Sequence, residues 1–172
     1  KWYLLNSSGA MQKGWQYTGG AWYYLGNDGV MQTGWLQEGG NSYYLSSSGA
    51  MKIGWVQDNG KWFYLNSSGA MLRGWQYTGG AWYYLGNDGI MQTGWVQEGG
   101  NSYYLTSSGA MKTGWLQDNG KWFYLNSSGA MLKGWVKHYG VWYYLGQDGV
   151  MYTGTHVIDN TTYNFDTTGA LA

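Results

Sequence analysis

The chain reads as all-β, a β-solenoid of stacked β-hairpins with about 20 residues per repeat. Three observations predict this. Methionine falls at Met11, Met31, Met51, Met71, Met91, Met111, Met131 and Met151, a step of 20 residues that never slips. Gly-Trp pairs keep the same step from Gly14-Trp15 to Gly134-Trp135. Each repeat also carries two short aromatic segments around a two-residue turn signal, Gly19-Gly20 in one, Gly39-Gly40 in the next and Asn59-Gly60 in the third.

Within a repeat, Gly14-Trp15-Gln16-Tyr17-Thr18 supplies a first strand and Ala21-Trp22-Tyr23-Tyr24-Leu25 a second. The Gly/Asn/Asp/Ser stretch that follows is a loop leading to the next hairpin. Helix is excluded by the density of glycine and the lack of a 3.6-residue apolar period. A lone hairpin is marginal in water, so each must pack against its neighbours. A longer period is superimposed. Residues 1–60 and 61–120 differ at only nine positions, so three hairpin variants cycle. If the solenoid turns once per three hairpins, equivalent variants stack on one face.

Composition excludes several function classes. Nine Lys+Arg balance nine Asp+Glu, and only 10% of the 172 residues are charged, so no basic field exists to attract nucleic acid. No apolar run approaches the roughly 18 residues a membrane span needs. Cysteine is absent, which excludes a disulfide framework. The anomaly is aromatic content of 20%, with 13 Trp and 18 Tyr beside 31 Gly. Units this small cannot enclose so many rings, so many lie at unit boundaries or on the surface, where rings serve binding.

The hairpin register puts Trp15, Tyr17, Trp22 and Tyr24 on one face. Trp15 and Trp22 are diagonal neighbours roughly 7–8 Å apart, two walls for a small cation. A third ring must come from the next hairpin, together with the methionine that precedes the following Gly-Trp. Such a box offers π faces and a thioether but no carboxylate, which suits a weakly hydrated quaternary ammonium.

The pattern Gly-Trp…Trp-Tyr-Tyr-Leu…Gly-x-Met resembles the choline-binding repeats of pneumococcal surface proteins, autolysins and phage lysins, over essentially the whole chain. The resemblance implies a left-handed solenoid with three hairpins per turn, and ligand sites made of two Trp from one hairpin, a Tyr from the next and a nearby Met. It implies phosphocholine of teichoic or lipoteichoic acid as the ligand, and a secreted, non-catalytic module attached to the bacterial cell wall. Carried onto this chain, the sites are Trp15, Trp22, Tyr44 and Met51; Trp55, Trp62, Tyr84 and Met91; Trp75, Trp82, Tyr104 and Met111; and Trp115, Trp122, Tyr144 and Met151. Tyr44 is preferred to Tyr43 because it shares the strand face of the Trp slot.

Departures from the pattern shape the expectation. Ser42 and Ser102 replace the second Trp, leaving Trp35/Tyr64 and Trp95/Tyr124 with one wall missing and weak or absent ligand. With three hairpins per turn both lie along one column, expected to serve protein contact or self-association instead. At the last boundary Asn164 takes the Tyr position and Thr155 the Trp position, so residues 153–172 read as a degenerate C-terminal cap. Residues 1–12 read as a truncated first repeat, which suggests a piece of a longer protein with an effector domain upstream.

Catalysis finds no support. Asp28, Asp88 and Asp148 share one loop slot, Asp58 and Asp118 a turn flank, and Glu38 and Glu98 another, whereas a catalytic pair should occur once. His138 and His156 have no adjacent acid or nucleophile pattern, and neither a metal-ligand cluster nor a cofactor motif occurs. Two rival readings remain: a carbohydrate-binding repeat of the glucansucrase or clostridial toxin type, and a structural spacer or oligomerisation scaffold.

Overall fold

A computed structural model describes all residues, Lys1–Ala172. It contains 16 strands and no helix. In order they are β1 (Gly14–Thr18), β2 (Ala21–Leu25), β3 (Gly34–Glu38), β4 (Asn41–Leu45), β5 (Gly54–Asp58) and β6 (Lys61–Leu65). Next come β7 (Gly74–Thr78), β8 (Ala81–Leu85), β9 (Gly94–Glu98), β10 (Asn101–Leu105), β11 (Gly114–Asp118) and β12 (Lys121–Leu125). The series ends with β13 (Gly134–His138), β14 (Val141–Leu145), β15 (Gly154–Ile158) and β16 (Thr161–Phe165). Each odd strand pairs only with the strand that follows it, giving eight separate two-stranded sheets. The expected hairpin repeat is therefore observed, and it extends through the C-terminal segment, where β15 and β16 keep the same antiparallel register.

The turn chemistry explains the hairpins. Asn59 and Gly60 have φ values of 46° and 76°, the paired left-handed geometry of a type I′ turn, whose twist matches that of the flanking strands. The first hairpin then has the register inferred from sequence, with Trp15 opposite Tyr24 and Tyr17 opposite Trp22. After each second strand the chain folds back, so that Leu25 bridges Met31 and Leu45 bridges Met51, and the same link recurs down the chain.

The fold divides into two compact units, one comprising Lys1–Tyr77 with Tyr84–Met91 and the other Thr78–Tyr83 with Gln92–Ala172. In the first unit the Met51 N–H donates to the Trp22 carbonyl and the Met71 N–H to the Ser42 carbonyl, both at 2.8 Å. In the second, Met131 bonds Ser102 and Met151 bonds Trp122 in the same way, again at 2.8 Å. Consecutive hairpins are thus joined through main-chain atoms, and the joint is indifferent to whether Trp or Ser carries the carbonyl. Because its hairpins share no sheet, each unit relies on these joints and on side chains packed between hairpins.

The inner packing is correspondingly regular. The last residue of each second strand is the most buried position, with Leu45, Leu65, Leu85, Leu105, Leu125 and Leu145 no more than 1% exposed. The methionines lie under the next loop. Gly49 takes φ +82° directly against the Met31 thioether, and a Cβ there would run into Met31 Sδ. Gly54, at φ +72°, has open space around it.

These two glycines make a paired test. Gly54→Ala meets only the left-handed backbone penalty, about 1–2 kcal/mol. Gly49→Ala meets that penalty and an overpacking cost of roughly 1–3 kcal/mol. Thermal melts followed by near-ultraviolet circular dichroism should show the larger loss for Gly49→Ala, and equal losses would mean the Met–Gly packing contributes nothing.

Candidate ligand boxes between hairpins

One box lies wholly within the first unit. Trp15, Trp22, Tyr43, Met51, Ser67 and Ser68 line a hollow of about 350 Å³, and none of them carries a formal charge. Strand β1 presents Trp15 and β2 presents Trp22 on the same face, as period-2 alternation requires. Trp22 is left 44% exposed, a large ring half open to solvent. Trp62, Trp82, Trp122 and Trp142 are exposed to a similar degree.

In three hairpins the paired indoles stand nearly perpendicular. Ring centroids are 6.4 Å apart for Trp55–Trp62, 6.3 Å for Trp115–Trp122 and 6.2 Å for Trp135–Trp142, with interplanar angles of 86–89°. Two walls at right angles leave a corner that a compact cation can enter while touching both π faces.

The third wall differs from the sequence expectation. The ring that the next hairpin brings to Trp15 is Tyr43, at 4.9 Å, and Tyr143 meets Trp115 in the same way at 4.8 Å. Tyr44 packs on Trp35 of its own hairpin at 5.1 Å, Tyr84 on Trp75 at 5.1 Å, Tyr104 on Trp95 at 5.2 Å and Tyr144 on Trp135 at 5.1 Å. The reason is geometric. A hairpin whose Trp face looks toward its successor meets the opposite face of that successor, so the facing residue belongs to the other strand parity. Met51 lines the hollow, and the Met91, Met111 and Met151 amides bond to the carbonyls of Trp62, Trp82 and Trp122 at 2.8 Å. Within the third expected set, Trp75 belongs to the first unit and Trp82, Tyr104 and Met111 to the second.

Where serine replaces the second tryptophan, polar side chains bond to one another at the boundary. Ser42 is 6% exposed and accepts a 2.7 Å bond from Gln37 Nε2, while the Trp35 indole N–H donates to Asp58 at 3.2 Å. The second copy repeats this with Gln97 on Ser102 at 2.6 Å and Trp95 on Asp118 at 3.1 Å. The facing ring is Phe63 at 4.7 Å and Phe123 at 4.9 Å. The tyrosine hydroxyl is thus missing at the same boundaries that lack the second indole.

The C-terminal boundary repeats the arrangement despite Thr155 and Asn164. Tyr163 meets Trp135 at 4.8 Å, and the Leu171 amide bonds the Trp142 carbonyl at 2.8 Å, so Trp135, Trp142 and Tyr163 recreate the arrangement with leucine in the methionine slot. The signal was present. Positions 23, 43, 63, 83, 103, 123, 143 and 163 are aromatic without a break, whereas the neighbouring series fails at Asn164. Lys137 lies 5.5 Å from the Trp142 ring, so that indole already faces one cation. No group of three or more His, Asp or Glu is placed to hold a metal ion.

Charge enters the first box indirectly. The Tyr24 hydroxyl, on the ring packed against Trp15 at 5.2 Å, donates to Glu38 Oε2 at 3.0 Å. That hydrogen bond, reinforced by burial and the carboxylate charge, holds the Tyr24 phenol above its ordinary ionisation range. His138 occupies the corresponding turn flank beside Tyr124, with Nδ1 3.0 Å from the hydroxyl. Because the folded state retains the Tyr24 proton longer than the unfolded chain does, the phenol's contribution to stability is complete below about pH 10 and lost as pH rises through its folded value. Glu38→Gln should bring the Tyr24 transition back toward the ordinary range in an alkaline titration followed by tyrosine Cζ NMR. An unmoved transition would remove Glu38 as the cause.

A family model described as choline-binding repeat matches residues 14–53, 72–114 and 112–155, and one described as putative cell wall binding repeat matches 1–11 and 53–71. Solved structures agree. CbpJ from Streptococcus pneumoniae TIGR4 is 37% identical with a TM-score of 0.91, over 99% of this chain and 70% of that one. Choline binding protein F from S. pneumoniae is 42% identical with a TM-score of 0.86, over 99% of this chain and 60% of that one. The choline-binding domain of CbpL from S. pneumoniae is 36% identical with a TM-score of 0.73, over 94% of this chain and 87% of that one. This chain therefore spans 60–70% of the first two. No curated protein sequence matches the chain.

Proposed function

Since the chain belongs to the choline-binding repeat family, we propose that it is a non-catalytic module that attaches a protein to the bacterial cell surface by gripping choline groups of teichoic and lipoteichoic acids. The grip is cation–π attraction between a trimethylammonium group and the corner formed by two indoles, completed by a tyrosine and a thioether. One observation carries this reading. The joint between hairpins runs through the carbonyl at the second-tryptophan position and survives when serine takes that position. The fold therefore does not require those indoles, yet most boundaries keep one and leave it about 40% exposed. A ring that costs solvation and is not needed for folding fits a ligand role.

The first box comprises Trp15, Trp22, Tyr43 and Met51, and the fourth Trp115, Trp122, Tyr143 and Met151. Trp55, Trp62 and Met91 contribute within the first unit, Trp82 and Met111 within the second, and Trp135, Trp142 and Tyr163 add a terminal box. The Ser42 and Ser102 boundaries lack the second indole and take no choline. A single box binds weakly, and several boxes engaging one polymer multiply retention by ~10²–10⁴-fold through effective concentration. A saccharide ligand is disfavoured, because hydroxyl recognition calls for polar side chains among the rings and the lining of the first box has only Ser67 and Ser68.

Free choline should raise the melting temperature, since the boxes exist only between folded hairpins. Trp22→Ala should weaken choline at its box by about 1–2 kcal/mol, the scale of a partly desolvated cation–π contact. The chain should be retained on a tertiary-amine resin and released by choline but not by dextran. Release by dextran, or no thermal shift at saturating choline, would contradict the reading.

A further inference from the structure

The hollow beside Trp15 and Trp22 has a polar side that the cation box leaves unused. Ser67 and Ser68 belong to the loop after β6 rather than to either hairpin that frames the box, and Ser67 lies 45 positions beyond Trp22. The relation is not isolated. A second hollow, of about 370 Å³, brings Ser47 and Ser48 to Trp2, Tyr23 and Met31, and Ser47 lies 45 positions beyond Trp2.

The two serines differ chemically. Asn66 Oδ1 accepts from the Ser68 N–H at 2.9 Å, the Ser68 hydroxyl at 2.7 Å and the Ala70 N–H at 2.9 Å. The Ser68 proton is therefore spent inside the loop, and the loop is rigidified around it. The Ser67 hydroxyl takes no part in that network and is free to donate to a ligand. Asn126 repeats the arrangement with Ser128 and Ala130, leaving Ser127 in the Ser67 position. Asp166 does so with Thr168 and Ala170, leaving Thr167 there.

The same step along the sequence separates complete boxes from incomplete ones. From Trp82 it reaches Ser127-Ser128, and from Trp122 it reaches Thr167-Thr168. From Ser42 it reaches Asn87-Asp88, and from Ser102 it reaches Gln147-Asp148. Hydroxyl pairs thus accompany paired indoles, and a carboxylate accompanies each boundary that has lost one. A carboxylate would repel an anion at that point, whereas an uncommitted hydroxyl would welcome it.

We propose that Ser67, and by the repeat Ser127 and Thr167, form an anion-facing subsite that hydrogen-bonds the phosphate ester attached to the boxed ammonium, so that the box reads phosphocholine rather than the ammonium alone. This rests on the cation-box reading above and assigns the other half of the same ligand. The hollow is large enough for both groups, lying within the roughly 300–1,000 Å³ usual for small-molecule sites. The donor belongs to a different hairpin from the rings, so the distance between cation and anion is checked as well as their charges.

The test uses the whole chain, titrated separately with tetramethylammonium and with phosphocholine while the Trp22 indole N–H is followed by NMR. Ser67→Ala should leave tetramethylammonium affinity unchanged and lower phosphocholine affinity at that box by about tenfold, the lower end of the scale for one hydrogen bond to a charged oxygen. Ser67→Thr, which keeps the hydroxyl, should bind both as the parent does, and Ser67→Asp should lose phosphocholine selectively. An unchanged phosphocholine-to-tetramethylammonium ratio in Ser67→Ala, or an equal loss of both, overturns the subsite. Failure of tetramethylammonium to shift the Trp22 resonance in the parent chain overturns the cation box itself, so the two ideas fail separately.

Discussion

Everything in this molecule depends on one main-chain hydrogen bond, from the amide of each periodic methionine from Met31 onward to the carbonyl at the second-tryptophan position of the hairpin before. It ties together hairpins that share no sheet, and it does so without consulting the side chain at either end. That separation of duties has a consequence for evolution within the array. The side chain on the accepting residue can be tryptophan or serine while the geometry of the joint stays the same. Binding surface can then be added or deleted boundary by boundary.

The methionine serves two ends at once. Its amide makes the joint, and its side chain lies under the glycine of the following loop, where a larger residue would collide with the thioether. At the first box Met51 also lines the hollow. One residue type thus fixes spacing, packs a loop and presents a soft, polarisable wall, which explains why its step of 20 residues is kept so strictly. The tryptophans divide in a similar way. Trp15 is held by Tyr24 of its own hairpin and Tyr43 of the next, whereas Trp22 packs only on Tyr17 at 5.3 Å and stays 44% exposed. A rigid wall and an open wall together make a corner that is ready before any ligand arrives, which limits the ordering cost of binding.

The hairpins, their turns and their register were legible in the sequence because those features are local. Asn59-Gly60 needs two left-handed residues, and alternation along a five-residue strand leaves little freedom. The indole pairs were legible for the same reason, since both rings belong to one hairpin. The third wall was not, because it depends on which face the next hairpin turns toward the first. Strand parity alone favours Tyr44, which shares the Trp face, over Tyr43. The structure turns the opposite face, and the unbroken aromatic series through Tyr163 and the switch to Phe63 and Phe123 beside Ser42 and Ser102 carried that information all along. The contribution of Ser67 and Ser68 was beyond reach for a deeper reason: it joins segments 45 residues apart, and nothing in the period of a single repeat reports that contact.

The central claim is that neighbouring hairpins jointly frame a cationic-ligand corner, with the rings drawn from opposite strand faces. A crystal of the chain soaked in choline addresses it most directly. The account predicts a trimethylammonium group seated among Trp15, Trp22, Tyr43 and Met51, with the boundaries at Ser42 and Ser102 empty. Choline bound instead against Tyr44 and Trp35, or equally at every boundary irrespective of the second indole, would contradict it.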